Sequence, residues 1–579
     1  MDLAARIEAQ HARIAALEAA LWRDGLDEGV LEPYQAAYRE LEGLLTAQGA
    51  TRHHFVIVIP VADSPRQLQN CLDSLYAQCE DYAYGGREQG RCRKVSVLLA
   101  DDSADPANIA EHRAIAKGLM RRGIRVEYFG QDEQLALLDR LPGIRLGGII
   151  GDHPRAAFGH KGQAMMRNIA YLRLAELQAQ HPAERLLFYT VDADQEFRVK
   201  VATADGGRSV NALNYLYHLD RLFSETGVQV LTGKVVGDPP VSPAVMAGNF
   251  LDDVIAFVKE MSASDPAAVY RQPLVDMRGS GEAAYHDMAE LFGFPRREAA
   301  YRYRCGLPGR PDNVQCLADF AAHLKGFLHG QHPTRVTWYR YRAVGQSLQP
   351  ARTVYTGNYL FTPQALGWFI PFAPMRLRMS GPTMGRMLQA ELGEAFASAN
   401  VPMLHGRTLE ASGASEFRPG VVAADHRVDL SDEFERQFFG DVMLFAMERL
   451  SASGYPAKVL PREEIAATLD AMYAEMRGRY RDRQRHIVDR LGELRALLQD
   501  PAQWWHRTPT AAGALQDFAR FVANIEQNFG AASTVTALIE SADRWRHWRG
   551  RQLDAISGLH ADRAAWQAAL AILGAPAAR

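Results

Sequence analysis

Between His54 and Asp194 the sequence alternates short apolar runs with helix-like segments, and this alternation limits the fold more than any other feature. The first run, FVIVIPV, is continuous and rich in β-branched residues, and the helix-like segment SPRQLQNCLDSLYAQ follows it. A continuous apolar strand suits a sheet that is covered on both faces. Three further runs repeat the pattern: VSVLLADDS, IRVEYFG and RLLFYTVDAD. We therefore predict an α/β fold with a mostly parallel sheet flanked by helices.

Changes in this pattern divide the chain into five regions. An amphipathic helix precedes the first strand, the alternation weakens after residue 242, and beyond Pro461 apolar residues recur at helical spacing. These terminal helices could pack within the chain or join two copies of it as a homo-oligomer. We assign residues 1–50 to a helical extension, 51–242 to the first half of the α/β domain and 243–350 to a mainly helical insertion. Residues 351–450 form the second half of the domain, and residues 451–579 form a helical C-terminal region.

Composition and charge exclude several classes of protein. Lys and Arg total 65 against 68 for Asp and Glu, so the net charge of -3 provides no basic field for nucleic-acid binding. The five cysteines form no CxxC pair, which favours a reduced, cytoplasmic protein over a disulfide-linked or zinc-binding one. The N-terminus lacks a signal-like segment, and no apolar run reaches the ~18 residues of a membrane helix. We expect no transmembrane segment.

Acidic residues stand at the ends of the predicted strands, where ligands of open parallel sheets bind. Asp101 and Asp102 end the second strand, and Asp192 and Asp194 end RLLFYTVDAD. Because alternate residues of a strand point to the same side, Asp192 and Asp194 are expected to present two carboxylates together. Such a pair suits Mg²⁺ or Mn²⁺, although acids after a strand also cap helices or lie in solvated turns.

A short glycine-rich stretch precedes the third helix-like segment. Gly159 and Gly162 allow the backbone to approach a ligand closely, and Lys161 between them adds a positive charge. The N–H groups at the start of the following helix are suited to an anion such as a diphosphate.

The order of these motifs resembles that of the GT-A glycosyltransferases, specifically the family 2-like nucleotide-sugar enzymes, and the spacing is similar to that of glucosyl-3-phosphoglycerate synthase and mannosylglycerate synthase. The resemblance covers about residues 54–240 and 350–430. Besides the strand ends it is carried by six stretches: GHKGQAMMRN, LLFYTVDAD, TGKVVGDPP, TGNYLF, FIPFAPMRLRMSGPTMGRML and MLHGR. It implies a GT-A (Rossmann-like) domain whose nucleotide-sugar half is 51–242 and whose acceptor half is 351–450.

The resemblance also implies roles for individual residues. Asp192, Asp194 and Lys161 would be catalytic, and Asp192, Asp194 and His405 would hold Mn²⁺ or Mg²⁺, with His426 as a substitute for His405. Judged without the resemblance, a histidine in the sequence surroundings of His405 more often has a structural role. The implied contacts to a UDP- or GDP-sugar donor are Pro60, Asp63, Asp101, Asp102, Gly159, Lys161, Gly162 and Asp192.

The acceptor half departs from the resemblance at one point. Inverting relatives carry a Glu-Asp pair before the helix that begins here as Gly381-Pro382-Thr383, and no carboxylate stands there. Either the base lies elsewhere or the reaction is retaining and needs none from the protein, and we favour the second interpretation. Arg376, Arg378 and Arg386 could bind a small anionic acceptor by paired hydrogen bonds, although solvated arginines would give the same pattern. A saccharide or protein acceptor remains an alternative.

Two other functions fit parts of the sequence. A sugar-nucleotide nucleotidyltransferase also uses paired acids and glycine-rich loops, but no G-x-G-T-R-like stretch follows the first strand. A non-catalytic GT-A binding or assembly module is the third hypothesis. Our leading prediction is a metal-dependent glycosyltransferase that uses a nucleotide-sugar.

Overall fold

The computed structural model describes seven stretches of the chain: residues 2–203, 206–239, 242–273, 303–355, 357–406, 420–424 and 426–574. The elements of the N-terminal half are α1 (Leu3–Leu21), α2 (Glu28–Gln48), β1 (His54–Val61), α3 (Pro65–Tyr82), β2 (Arg87–Glu88), β3 (Arg91–Cys92), β4 (Val95–Asp101), α4 (Pro106–Arg121), β5 (Arg125–Phe129), α5 (Gln131–Leu138), α6 (Gly147–Ile150), α7 (Gln163–Gln180), β6 (Leu186–Val191), β7 (Gln195–Glu196), β8 (Val199–Thr203), β9 (Gly206–Val210), α8 (Tyr215–Glu225), β10 (Val230–Thr232) and β11 (Val235–Gly237).

The C-terminal half contains most of the remaining helices. Its elements are α9 (Pro243–Ser262), α10 (Asn313–Leu328), β12 (Gln349–Pro350), β13 (Asn358–Phe361), α11 (Ser380–Leu392), β14 (Phe396–Ser398), β15 (Met403–His405), β16 (Val422–Ala424), β17 (Arg427–Asp429), α12 (Ser431–Ala452), α13 (Arg462–Gln499), α14 (Ala512–Phe529), α15 (Thr534–Ala537) and α16 (Ala542–Gly574).

The main sheet has eight strands in the order β12-β14-β10-β13-β6-β1-β4-β5. Strands β6, β1, β4 and β5 run parallel, as the alternation of strands and helices predicts. Strand β13 departs from this direction because it pairs antiparallel with both β6 and β10. The fold is therefore mixed α/β with a sheet dominated by parallel strands.

Both faces of the sheet are covered. All eight residues of β1 are buried, and they alternate between two cores. Phe55 and Ile57 belong to the core beneath α1, α2, α3 and α8, whereas Val56 and Val58 belong to the core beneath α7 and the C-terminal helices. This double burial explains why the strand reads as a continuous apolar run.

The insertion and the C-terminal region pack on the same face of the sheet. Helices α9 and α10 lie within residues 243–350, and residues 274–302 lie outside the described residues. The 38-residue helix α13 packs against α9, α12 and α16, so these regions share one core with the α/β domain.

The apolar stripes of the terminal helices are used within the chain. Ile7, Ile14 and Leu21 of α1 are buried where α1 packs on α2. In α16, Ile556 and Trp566 are buried where the helix contacts α7 and α13. These residues therefore belong to the cores of the chain itself. None of the helices in the described ranges combines the length and low charge that a bilayer-spanning segment needs.

Candidate functional site

A cavity of about 610 Å³ lies at the carboxyl ends of β1, β4 and β6. Here the chain reverses the order in which it adds strands: β4 and β5 lie on one side of β1, and β6 lies on the other. Ligands of open α/β sheets bind at such a switch point. The volume falls within the ~300–1,000 Å³ that is usual for small-molecule sites.

The predicted carboxylate pair lies in this cavity. Asp192 and Asp194 follow the last residue of β6 and both line the wall. Their partners lie on different elements: the Asp192 carboxylate accepts a hydrogen bond from Arg167 of α7, and Asp194 Oδ2 lies 3.4 Å from Nε2 of His405 on β15. Because Arg167 is 1% exposed, removing Asp192 would leave a buried guanidinium without this ion pair. Asp194 is therefore the better residue on which to test a metal site.

The orientation of His405 suits a metal ligand. Strand β15 pairs with β11 and places the ring in the cavity, where Nδ1 lies 2.7 Å from the carbonyl oxygen of Asp238. This carbonyl can only accept a hydrogen bond, so Nδ1 carries a proton, and Nε2, on the side of Asp194, is the nitrogen that could bind a metal. A backbone acceptor of this kind orients many metal-binding histidines. By contrast, His426 lies at the exposed turn between β16 and β17 and does not line the cavity, so it is not a substitute for His405.

The acidic and histidine side chains do not by themselves enclose a cation. Among the described residues, no group of three His, Cys, Asp or Glu side chains is arranged to hold a metal ion. A cation bound between Asp194 and His405 would therefore take its other ligands from water or from a bound anion. Phosphate oxygens and water commonly complete the shell of Mg²⁺ and similar ions.

Lys161 points away from the cavity. Its ammonium group donates hydrogen bonds to Asp102 Oδ1 at 2.6 Å and to the carbonyl of Phe158 at 2.5 Å, and it lies 4.1 Å from the centre of the Phe158 ring. The side chain is 0% exposed, and burial lowers the pKa of Lys161 although Asp102 opposes this effect. Contrary to the sequence-based expectation, Lys161 holds the loop onto the end of β4 instead of facing a ligand.

The glycines of this loop bring the start of α7 to the cavity. A Cβ atom on Gly159 would lie 2.8 Å from the carbonyl oxygen of Ser103, so only glycine allows this approach. Gly162 has a φ of 103° and donates its N–H to Asp102 Oδ2 at 3.0 Å. Gly162 and the first residues of α7 line the cavity, which gives it the N-terminal N–H groups and the positive end of a helix dipole.

Asp63 and Asp101 make structural contacts. Asp63 accepts hydrogen bonds from the N–H groups of Ala104 and Asp105 at 3.2 Å and from His160, and these bonds lower its pKa against the opposing effect of burial. Asp101 is 1% exposed. Neither carboxylate lines the cavity. Of the eight expected donor contacts, the wall contains Pro60, Asp102, Gly162 and Asp192.

The Asp101 carboxylate has its own buried partners. It lies 2.9 Å from Nδ1 of His112 and accepts a hydrogen bond from the hydroxyl of Tyr128 at 2.6 Å. These hydrogen bonds lower the pKa of Asp101 even though burial raises it. Asp101 therefore links β4 to α4 and β5.

Three arginines from two segments line the other side of the cavity. Arg376 and Arg378 belong to the segment before α11, and Arg436 comes from α12. Arg378 is anchored 3.4 Å from the buried carboxylate of Glu433. Burial lowers the pKa of Arg436, and the neighbouring Arg378 and Arg376 add to that effect, as expected for positive charges crowded together.

Arg386 does not join this group. It is 3% exposed and donates hydrogen bonds to the carbonyl of Arg352 and to Thr353 Oγ1, on the side of α11 that packs inside the protein. The first turn of α11, from Ser380 to Thr383, does line the cavity. A second helix N-terminus thus faces the space beside the arginines.

Two functional candidates were not found from the sequence. Arg167 stands in a helix that the sequence predicts, yet nothing local shows that it reaches Asp192. Arg436 lies beyond the segments that carry the motifs, in the helical stretch SDEFERQFFG, where a solvated face is the usual interpretation. Pro240, Thr356 and Arg407, which belong to three of the sequence motifs, lie outside the described residues.

Comparisons with other proteins add little. No protein-family model and no curated protein matches the sequence. Among solved structures, a mannosyltransferase from Pyrobaculum calidifontis in complex with GDP-Man and Mn²⁺ matches 96% of this chain and 98% of its own, with 10% identity and a TM-score of 0.31. A TM-score this low carries no argument about fold or function.

Proposed function

We propose that this protein is a divalent-metal-dependent glycosyltransferase that takes its sugar from a nucleotide-sugar. One observation carries the proposal: a cavity at the carboxyl ends of the strands brings together Asp192, Asp194, His405 and the N-terminus of α7. Carboxylates with a histidine suit a divalent cation, and a helix N-terminus suits phosphate oxygens. The combination fits the diphosphate of an activated sugar.

Asp194 and His405 would hold the cation, with Asp192 beside them on the same turn. An imidazole ligand favours Mn²⁺ over the harder Mg²⁺. When bound, the cation would neutralise negative charge on the departing nucleoside diphosphate.

The chain's own residues position the donor. Pro60 and Asp102 form the wall at the ends of β1 and β4, where the nucleoside would lie. The Lys161–Asp102 ion pair fixes the loop so that the N–H groups of α7 face the diphosphate. The buried Arg167 holds Asp192 in one orientation. Polar groups that already point to the place where charge develops stabilise the transition state, because they do not have to reorganise during the reaction.

The acceptor would bind on the arginine side of the cavity. Arg376, Arg378 and Arg436, together with the N-terminus of α11, favour a small acceptor that carries a carboxylate or phosphate. The carboxylates on the described part of the wall are Asp102, which is paired with Lys161, and the two acids of the metal site. None of these is placed as a base for the acceptor, which supports a retaining reaction.

A thermal-shift panel tests the donor half of this proposal. UDP-, GDP-, ADP- and TDP-sugars are added with and without Mn²⁺. Binding at about 100 times Kd stabilises a protein by about 2.7 kcal/mol. With an unfolding entropy of ~2.1 cal/mol/K per residue, the 579-residue chain should show a Tm rise of about 2 °C for one nucleotide and only with Mn²⁺.

A matched pair of variants identifies the site. Asp194→Asn should remove the Mn²⁺-dependent shift, whereas Asp139→Asn, which changes an exposed carboxylate of α5's C-terminal end, should retain it. If no nucleotide-sugar stabilises the wild-type protein with Mn²⁺, the proposal is refuted. Release of pyrophosphate from a nucleoside triphosphate, instead of nucleoside diphosphate from a sugar donor, would identify a nucleotidyltransferase.

A further inference from the structure

The last part of the connection between β13 and α11, residues 371–379, forms much of one wall of the cavity. Eight of these nine residues line it, among them Arg376 and Arg378. The regular structure of this part is one 3₁₀ turn, from Ala373 to Met375, and the part lies outside the sheet. The backbone of residues 371–379, which we call the acceptor segment, therefore determines where the two guanidinium groups lie.

The acceptor segment contains a cluster of left-handed residues. Phe372, Arg376 and Met379 have φ angles of 59°, 53° and 67°. Of the described residues other than glycine, eight have a positive φ, and three of these eight fall within this short segment. A residue that carries a Cβ atom is strained in this conformation. Such strain persists only where the surrounding structure holds the backbone, and it is often found at binding sites.

Asn168 of α7 fixes the chain just before the acceptor segment. Its side-chain NH₂ group donates hydrogen bonds to the carbonyl of Ile370 at 2.9 Å and to the carbonyl of Ile149 at 3.0 Å. Its Oδ1 accepts a hydrogen bond from the N–H of Ile370 at 2.8 Å. Both backbone groups of Ile370 are thus held by one side chain that is 0% exposed. A displacement of the segment must therefore be taken up by the residues that follow Ile370.

Helix α12 holds the other end of the acceptor segment. The N–H of Arg378 donates a hydrogen bond to the carbonyl of Arg436 at 3.3 Å. Gly440 lies against the same backbone: a Cβ atom built on it would overlap the carbonyl oxygen of Arg378 and lie 3.0 Å from its carbonyl carbon. Glycine inside a helix destabilises it relative to alanine. What Gly440 provides in return is a close approach that alanine would prevent.

The close approach at Gly440 also brings the arginines together. Gly440 and Arg436 stand four residues apart in α12 and so lie on the same face of the helix. This face meets the acceptor segment, and Arg376, Arg378 and Arg436 all line the cavity there. A methyl group on residue 440 would push the segment away from α12 and separate Arg378 from Arg436.

We propose that Gly440 is a positioning residue for the bound anion, because it holds the acceptor segment against α12 in its strained conformation. Arg376, Arg378 and Arg436 then meet at one carboxylate or phosphate group. This inference rests on the proposed function, which makes the bound anion the acceptor. Binding groups that are fixed before the ligand arrives give a higher affinity, because less ordering is required on binding.

A matched pair of glycine substitutions tests this role. Gly440→Ala places a methyl group against Arg378, whereas Gly478→Ala adds one in α13 at a position where nothing lies within 4 Å. Both changes raise helix propensity equally, so a difference between the variants reports the contact with Arg378. The probe is inorganic phosphate, titrated by isothermal calorimetry into the full-length protein at constant ionic strength with EDTA present.

The expected results separate the anion from the donor. Gly440→Ala should weaken phosphate binding about fivefold or more, whereas Gly478→Ala should leave it unchanged. Arg376→Ala should weaken it about tenfold or more, which assigns the phosphate to the acceptor segment. The Mn²⁺-dependent thermal shift with a nucleotide-sugar should be the same in Gly440→Ala as in wild type. If no nucleotide-sugar binds, the proposed function fails, and the phosphate titrations still decide the role of Gly440.

A second comparison tests the strain in a protein that keeps Gly440. Glycine adopts a positive φ readily, so Met379→Gly should melt at a higher temperature than Met379→Ala. At Leu377, whose φ is not positive, the alanine variant should be the more stable one. In the double variant Gly440→Ala/Met379→Gly the backbone beside Arg378 can adjust without strain, and part of the lost phosphate affinity should return. Leu377→Gly should give no such rescue, and neither should Met379→Gly if Gly440 had only a structural role.

Four results would overturn the proposal. The first is equal phosphate affinity in Gly440→Ala and wild type, with a loss in Arg376→Ala. The second and third are a wild-type protein that does not bind phosphate and an Arg376→Ala variant that binds it as wild type does. The fourth is a higher melting temperature for Met379→Ala than for Met379→Gly, which can be measured even if Gly440→Ala does not fold.

Discussion

Replacing Lys161 with methionine tests whether this side chain holds its loop or contacts the donor. The ammonium group is 0% exposed, and its contacts are Asp102 Oδ1 at 2.6 Å and the carbonyl of Phe158 at 2.5 Å. Methionine keeps most of the volume but removes the charge. The Asp102 carboxylate then still accepts a hydrogen bond from the N–H of Gly162 at 3.0 Å, but it has lost its positively charged partner. Removing one partner of a buried ion pair destabilises a protein by about 3–5 kcal/mol.

The size of the effect can be converted into a melting temperature. An unfolding entropy of ~2.1 cal/mol/K per residue gives about 1.2 kcal/mol/K for 579 residues. Lys161→Met should therefore lower Tm by about 2–4 °C. The control Lys325→Met removes an exposed lysine charge from α10 and should change the free energy of unfolding by less than about 0.5 kcal/mol. Circular dichroism and differential scanning fluorimetry measure both variants.

A second substitution distinguishes an unpaired charge from lost packing. In the double variant Lys161→Met/Asp102→Leu both charges are gone, and we expect at least half of the lost Tm to return, because a buried ion pair can be replaced by apolar groups at little cost. The reasoning is refuted if Lys161→Met is as stable as wild type while its affinity for a nucleotide-sugar falls. Lys161 would then be a donor contact.

Three further predictions address the metal site, the acceptor site and pH dependence. His405→Ala should lower the nucleotide-sugar affinity in the presence of Mn²⁺ at least tenfold, measured from the thermal shift. His426→Ala should leave this affinity unchanged, because His405 lines the cavity and His426 does not. Arg376→Ala and Arg436→Ala should each raise the KM for an anionic acceptor about 10- to 100-fold without changing donor affinity, as for the loss of a ~1.5–3 kcal/mol charged hydrogen bond. Burial raises the pKa of Asp441 to about 7, and the unfolded value is about 3.9, so the folded state binds the extra proton between these limits. Wild-type stability should therefore fall relative to Asp441→Asn by up to ~1.4 kcal/mol per unit as pH rises from about 4 to about 7, measured as urea midpoints.

Exposed residues of the same types provide the controls for these predictions. His181→Ala, Arg507→Ala and Asp482→Asn change groups at the surface and should leave donor affinity, acceptor KM and the pH profile as in wild type. Equal losses for His405→Ala and His426→Ala would contradict the metal site. A fall in donor affinity equal to the rise in acceptor KM for Arg436→Ala would remove the separate acceptor region. A pH profile for Asp441→Asn that is parallel to wild type would contradict the buried, protonated carboxyl group.

Local patterns in the sequence determine the framework of the site. The apolar run of β1 is continuous because the strand is buried on both faces. Asp192 and Asp194 stand where the apolar run of β6 ends. Both features can be predicted from neighbouring residues in the sequence. The glycines around Lys161 likewise predict a loop that enters a helix. Local signals did not fix the direction of β13, because the connections between elements decide whether a strand runs parallel or antiparallel.

Only the tertiary structure decided which charged side chains meet. Lys161 and Asp102 pair across 59 residues and turn inward, and Arg436 reaches the cavity from a helix that follows the second half of the sheet. His405 lies in the cavity and His426 at the surface, although both stand in short strand-like segments. Periodicity reports which face of an element is buried, whereas the partner of a charged group depends on how distant elements pack. That packing is the sum of many small contacts, and no single stretch of the sequence contains it.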